Sequence, residues 1–208
     1  MLTVACVLRP SKDFDGEYVT RLKAGVGEHL KMPHRFVCLS SVEVPCQRIP
    51  LMHNWPGWWS KVELFRLPPP VLYFDLDTMP VGDLGDIGAH ALQSPFTTLR
   101  DFYRENGIGS GMMSWAADGV RQLYDTFAAD PAMWQDRLRT RGDQAFIEEN
   151  MMGGDRWQDV LPGQVVSYKA HVRAATRRGE SGEGHAPNGS RVVCFHGKPK
   201  PRDIGWKI

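Results

Sequence analysis

The sequence predicts an α/β domain on a mostly parallel sheet, and three observations carry that prediction. Apolar runs of strand length occur at Thr3 to Leu8, Arg35 to Leu39 and Val71 to Phe74. Between the first two lies a stretch with helical periodicity, so strand, helix and strand form a crossover unit whose strands run parallel with a right-handed connection. Directly after the third run stand Asp75 and Asp77, and ligands of open α/β sheets bind outside the carboxyl ends of the strands.

The elements follow in order. Thr3 to Leu8 is bounded by Arg9 and Pro10, as a buried strand ending in a loop would be. From Gly16 to Lys31, Val19, Leu22, Val26 and Leu30 recur at helical intervals, with Glu17 and Lys31 placed to suit the helix dipole. Arg35 to Leu39 is the second strand, and Val44, Ile49 and Leu51 suggest a brief third. Trp58 to Leu67 reads as a helix capped by Ser60 and ended by Pro68, Pro69 and Pro70. Val71 to Phe74 then runs into Asp75-Leu76-Asp77-Thr78. Later strands are expected at Phe96 to Leu99, Gly111 to Trp115, Val165 to Tyr168 and Val192 to Phe195, and helices from about Ala117 to Ala128 and Gln144 to Asn150. Residues 179–190 are rich in glycine and polar side chains and are expected to form a mobile surface loop. The 208 residues make one domain, 1–208, with no internal repeat.

Composition narrows the partners. Lys and Arg number 25 against 24 Asp and Glu, a formal charge of +1, so neither nucleic acid nor an anionic membrane is implied. No run approaches the 18 apolar residues of a membrane span, and the opening residues lack a basic leader, so a cytoplasmic protein is expected. Cys6, Cys38, Cys46 and Cys194 have no zinc or redox spacing and read as packed thiols.

Extended backbone would point the Asp75 and Asp77 carboxylates to one side. Two carboxylates so close repel, which suits a site where Mg²⁺ or Mn²⁺ and a diphosphate are the other parties. The run Asp75-Leu76-Asp77-Thr78-Met79 also resembles the Asp-x-Asp-x-Thr start of phosphatases of the haloacid dehalogenase superfamily, with the first Asp as nucleophile and the second as acid/base. Such enzymes begin with the motif and carry a later acidic pair; here some seventy residues precede it and no later Asp-Asp exists.

Five separated segments instead resemble glycosyltransferase family 8, the glycogenin-like group with the GT-A fold. They are Trp59-Ser60-Lys61-Val62-Glu63-Leu64-Phe65, Val71 to Asp77, Gly109-Ser110-Gly111-Met112-Met113, Gly142-Asp143-Gln144-Ala145-Phe146 and Phe195-His196-Gly197-Lys198-Pro199-Lys200-Pro201. The resemblance spans nearly the whole chain. It implies a single GT-A-like domain that transfers a hexosyl group from a nucleotide diphosphate sugar to an acceptor hydroxyl, with retention of configuration. Asp75, Asp77 and His196 would be the metal ligands for Mn²⁺ or Mg²⁺. Lys61, Ser110, Gly111, Gly197, Lys198 and Lys200 would contact the donor, together with Asp75, Asp77 and Leu8 at the end of the first strand. Asp143 and Gln144 would be the catalytic pair at the donor sugar, although Asp143 also has the position of a helix cap. Two departures stand out: Gly109 replaces the family's usual Asn, and the last motif is shortened and lacks its Trp. A nucleotide-sugar-binding protein without turnover therefore remains an alternative, beside the phosphatase.

Trp55, Trp58 and Trp59 could stack on a sugar or base, with core packing favoured, at least for Trp59. Arg173, Arg177 and Arg178, next to the loop, could close over a diphosphate. His29, His34, His53, His90, His171 and His185 have no motif context.

Overall fold

The computed structural model describes residues 1–151 and 153–206. Its elements are β1 (Leu2–Leu8), α1 (Gly16–His29), β2 (His34–Ser40), β3 (Gln47–Pro50), a 3-10 helix (Gly57–Arg66), β4 (Val71–Phe74), β5 (Thr78–Pro80), α2 (Gly85–Ala91), β6 (Thr97–Arg100) and β7 (Ile108–Trp115). There follow a 3-10 turn (Asp118–Val120), α3 (Arg121–Ala129), α4 (Pro131–Arg137), α5 (Gly142–Asn150), β8 (Asp155–Arg156), α6 (Trp157–Val160), β9 (Val165–Ser167), a π turn (Tyr168–Val172), β10 (Val192–Cys194) and a last 3-10 turn (Pro201–Ile204). No helix among the described residues is long and apolar enough to cross a membrane.

Seven strands form the main sheet in the order β3-β2-β1-β4-β7-β6-β8. β3, β2, β1 and β4 are parallel, as the crossover pattern predicts. β7 then runs antiparallel to both β4 and β6, and β8 lies parallel to β6. A second sheet, β5-β10-β9, closes over the carboxyl end of β4. Strand order reverses between β1 and β4, which makes the crevice beyond their carboxyl ends the switch point of the fold. Because β7 is antiparallel, its first residues lie at that same end: the Asp75 amide donates to the Gly111 carbonyl at 2.8 Å.

Each face of the sheet has its own core. On one, α1 buries Tyr18, Val19, Leu22 and Val26 over β1, capped at its start by the Asp15 side chain, which accepts from the Glu17 amide. On the other lie the 3-10 helix, α3, α4 and α5. Phe127 of α3 stands at the centre of an aromatic cluster, with Trp59 at 5.1 Å, Trp55 at 4.8 Å and Phe146 at 5.2 Å between ring centres. It ties the 3-10 helix, which carries Lys61, to α5, which carries Asp143. Buried Glu63 pins the 3-10 helix to the chain leaving β3, accepting from the Met52 and His53 amides at 2.7 and 3.0 Å. Cys6, Cys38 and Cys194 are buried free thiols, as expected, and Cys46 is half-buried and free.

Several local expectations are corrected. Ser60 does not cap the segment after Pro56; its hydroxyl donates back to the Gly57 carbonyl at 2.8 Å, inside a 3-10 helix. Asp75 to Thr78 is a turn rather than extended chain, closed by the Thr78 amide on the Asp75 carbonyl at 2.9 Å. α2 escapes a propensity reading because Gly85 and Gly88 disfavour helix; a Cβ at Gly88 would stand 2.7 Å from Met32 Sδ and 2.9 Å from Leu30 Cδ1, so the glycine permits close packing. In the polar segment after Arg178, the Glu180 carboxylate pairs with Arg173 at 2.7 Å and Arg177 at 3.0 Å, and accepts from the Thr176 amide at 2.9 Å. Ser181 and Gly184 donate their amides to the Ala170 and Val172 carbonyls. The first half of that segment is thereby stitched to the π turn.

Replacing Phe127 by Ala removes the centre of the cluster that joins the two site-bearing helices. The expected loss is about 3–5 kcal/mol in urea unfolding; a loss below about 1 kcal/mol would show that the cluster does not hold these helices.

Candidate active site at the β1–β4 switch point

A cleft of roughly 600 Å³ opens at the switch point, within the range of small-molecule sites. Its wall includes Lys61, Asp75, Asp77, Ser110, Gly111, Asp143, Gln144, His196, Gly197 and Lys200. These come from five separate stretches of chain, and the fold brings them to one place.

The centre is a buried ammonium. Lys61 Nζ lies 3.0 Å from Asp75 Oδ1, 3.0 Å from Asp143 Oδ2 and 3.1 Å from Ser110 Oγ. Burial works against the lysine's charge, but the Asp143 and Asp75 carboxylates outweigh it and hold the pKa above that of an ordinary lysine. Ser110 in turn donates to Asp143 Oδ2 at 2.7 Å, and the Tyr73 hydroxyl donates to Asp75. Asp143 is the second residue of α5 rather than its N-cap, which is Arg141; its carboxylate is turned inward to Lys61 and Ser110, so the capping role is not realised. Gln144 donates to Asp101 Oδ2 at 3.2 Å, a partner on the cleft wall that no motif singled out.

The second acidic residue sits apart from this network. Asp77 Oδ2 pairs with Lys200 Nζ at 2.5 Å, both almost fully buried. Burial, followed by the negative charge of Asp75, pushes the Asp77 carboxyl up to about 6 despite the lysine. The donor set of two carboxylates and an imidazole lining one cleft suits a hard divalent cation in chemistry, and the excess negative potential at Asp77 is what such a cation would relieve. All three expected ligands face the cleft. They do not form a ready-made ligand cluster: among the described residues no three His, Cys, Asp or Glu side chains are grouped to hold an ion, and His196 Nε2 is hydrogen bonded to Ser167 Oγ at 2.7 Å.

Two donor-contact expectations are corrected. Leu8 is buried in the core beneath α1; by strand alternation its neighbours Val7 and Arg9 face the cleft instead. Lys198 is not part of the cleft lining: it is exposed and pairs with Asp13 at the cleft edge at 2.6 Å and with Asp203 at 3.5 Å, which leaves Lys200 as the motif lysine in the cleft. Lys169, which no motif suggested, approaches the Gly197 turn: a Cβ on Gly197 would stand 3.2 Å from its Nζ. Gly109 is matched to the strand pairing, since a Cβ there would stand 3.2 Å from Leu99 Cβ opposite. Trp55 and Trp59 are core residues, whereas Trp58 is 52% exposed on the cleft wall. Arg177 stacks over the Tyr103 ring at 5.0 Å, beside the cleft rather than in it.

The architecture is the GT-A fold of glycosyltransferases. An active-site mutant of LgtC superposes with a TM-score of 0.63 at 12% identity, over 97% of this chain and 89% of that one. The glycosyltransferase GlyE of Streptococcus pneumoniae gives 0.64 at 14%, over 99% of this chain, and the bifunctional glycosyltransferase WbbM gives 0.62 at 12%, over 96%. The chain spans 59% of the GlyE chain and 46% of WbbM. No family model matches the sequence, and no curated protein matches it either.

The imidazole of His196 is held down to about 4, by burial first and then by the Lys169 ammonium. In the unfolded chain it takes up a proton near its ordinary value of about 6.5. Its contribution to stability is therefore present above that value and lost as pH falls towards 4, by about 3 kcal/mol in all. Asp77 titrates in the same window with the opposite sign, its raised value favouring the folded state at low pH. The informative quantity is the difference between wild type and His196→Gln, measured by urea unfolding with a chelator present. That difference should change by about 3 kcal/mol from pH 7 to pH 4; a pH-independent difference would contradict the assigned environment.

Proposed function

We propose that the protein is a glycosyltransferase of the family 8 type, transferring a hexosyl group from a nucleotide diphosphate sugar to an acceptor hydroxyl with retention of configuration. One observation carries the reading: Lys61 bridges Asp75, from the acidic motif, to Asp143, from the Gly-Asp-Gln motif, inside the cleft. Two motifs of the resemblance, remote in sequence, thus share one buried cation. The GT-A neighbours support the same class, and one LgtC structure was obtained with donor and acceptor sugar analogues.

In this reading Asp75 and Asp77, with His196, would hold Mn²⁺ or Mg²⁺, and a bound ion would supply positive charge to offset that of the leaving diphosphate. Lys61 and Lys200 supply fixed positive charge on the same side, already in place before reaction. Gly111 lines the cleft beside Asp75, where a Cβ would touch Asp75 Oδ2, Leu99 Cδ1 and Thr78 Oγ1, each at 3.5 Å. Asp143 is oriented by Ser110 and Lys61 towards the sugar, and Gln144, braced on Asp101, flanks it. A carboxylate so closely paired with an ammonium is a weak nucleophile. That favours departure and attack on one face of the sugar over a covalent intermediate on Asp143. A phosphatase would need Asp75 free to attack phosphorus, whereas Tyr73 and Lys61 both engage it.

The test is a panel of nucleotide sugars with Mn²⁺ and water as the default acceptor. Slow release of nucleoside diphosphate and free sugar is expected. Asp143→Asn should lower that rate about 10²-fold or more while nearly sparing calorimetric affinity for the diphosphate, as a group acting in the transition state does. Release of inorganic phosphate from simple phosphomonoesters with phosphorylated Asp75 would establish the phosphatase instead, and tight binding without turnover would establish the binding protein.

Asp77→Asn keeps the side chain's volume and removes the charge that a cation would neutralise. Nucleoside diphosphate affinity should then lose most of its Mn²⁺ dependence, with a lower melting temperature because buried Lys200 loses its partner; an unchanged Mn²⁺ dependence in the folded variant would remove Asp77 from the metal site.

A further inference from the structure

We infer that Trp58 is the stacking platform for the acceptor, and that the acceptor presents a pyranose ring to it. The inference rests on the glycosyltransferase reading and names a contact which that reading leaves open. The three tryptophans of the segment have separate fates: Trp55 and Trp59 are 7% and 5% exposed in the core, while Trp58 is 52% exposed. Leaving half an indole in water forgoes the burial that its neighbours obtain. Here the exposed ring is on the wall of the cleft.

Its position is fixed by backbone. Gly142 adopts φ +66°, and a Cβ there would stand 2.7 Å from Trp58 Nε1 and 2.9 Å from Cε2. The indole edge therefore rests on the residue that opens α5, immediately before Asp143. No other side chain fits at position 142 without displacing either the ring or the helix start. One turn sets both the platform and the carboxylate assigned to the sugar.

Location decides between acceptor and nucleotide. Phe14 and Lys200 lie beside Asp77, where the diphosphate side is assigned: Lys200 Nζ stands 2.5 Å from Asp77 Oδ2 and 4.5 Å from the Phe14 ring centre. Trp58 belongs to the Asp143 wall, where the sugar reacts. The next residues along that wall are Thr140 and Arg141, both exposed and polar. An aromatic face edged by hydrogen-bonding groups matches a pyranose, which offers a face of C–H bonds and a rim of hydroxyls. A lipid or a peptide side chain would call for a continuous apolar surface.

The probes are maltose, cellobiose and lactose, each offered to wild type, Trp58→Ala and Trp58→Phe. The first readout uses the nucleotide sugar that wild type cleaves. Trp58→Ala should raise the acceptor KM of the best disaccharide about tenfold, the factor corresponding to ~1.4 kcal/mol, with Trp58→Phe rising less than threefold. Calorimetric affinity for the nucleoside diphosphate should stay within twofold in both variants, which also shows that they fold. A weakened nucleoside diphosphate affinity, or an unchanged acceptor KM, would overturn the inference. The second readout is independent of turnover. In proton–nitrogen spectra the indole resonance missing from Trp58→Phe identifies Trp58 among the seven tryptophans. A saccharide at millimolar concentration should shift it, and no shift with any of the three would overturn the inference. If wild type cleaves no nucleotide sugar, the glycosyltransferase reading fails, and this second readout alone still decides whether Trp58 is a saccharide platform.

Discussion

A single ammonium in the wrong dielectric organises this molecule's cleft. Lys61 is nearly fully buried, and an isolated lysine so placed would lose its proton; two carboxylates and a hydroxyl keep it charged. The constraint is mutual, because Asp143 is as buried as Lys61 and would be costly without it. Three elements must therefore meet within hydrogen-bond distance: the 3-10 helix bearing Lys61, the turn after β4 bearing Asp75, and the start of α5 bearing Asp143. The Phe127 cluster and the Glu63 anchor hold two of these elements in register. Such a network sets the positions of its charges before any ligand arrives, the arrangement that electrostatic preorganisation requires.

The sheet supplies the rest. Parallel β1 and β4 direct their carboxyl ends to the switch point, and antiparallel β7 brings Ser110 and Gly111 to it from the opposite direction. The small second sheet then returns the chain, so that His196 and Lys200 reach a cleft whose first residues are in β1. This explains why residues from opposite ends of the chain share one site. It also divides the cleft by charge. Lys61 is committed to Asp75 and Asp143, whereas Lys200 and Asp77 form a second pair on the side assigned to the diphosphate.

The parallel half of the sheet was legible because its strands are continuous apolar runs and its crossover helix has clear periodicity. The motif residues Lys61, Asp75, Asp77, Ser110, Asp143, Gln144, His196 and Lys200 all reach the cleft. What escaped was set by tertiary contacts. In the helix at Gly85–Ala91, Leu30 and Met32 press on position 88 and require glycine there, so local propensity points the wrong way. Leu8 and Val7 exchange roles through a one-residue alternation that a motif cannot place. Lys198 and Lys200 are chemically equal in sequence; the nearby acidic residues decide, Asp13 and Asp203 holding one in exposed ion pairs and Asp77 the other inside the cleft. Trp58 differs from Trp59 only in which side of a 3-10 helix it occupies, a distinction that an α-helical reading of the segment could not draw.

The most direct measurement of the central claim is a crystal structure with a nucleoside diphosphate and Mn²⁺, located by anomalous scattering. The ion should lie against Asp75 and Asp77, with the diphosphate between it and Lys200, and Lys61 should remain on Asp143. A diphosphate bound outside the switch-point cleft, or a manganese peak remote from both aspartates, would contradict the account.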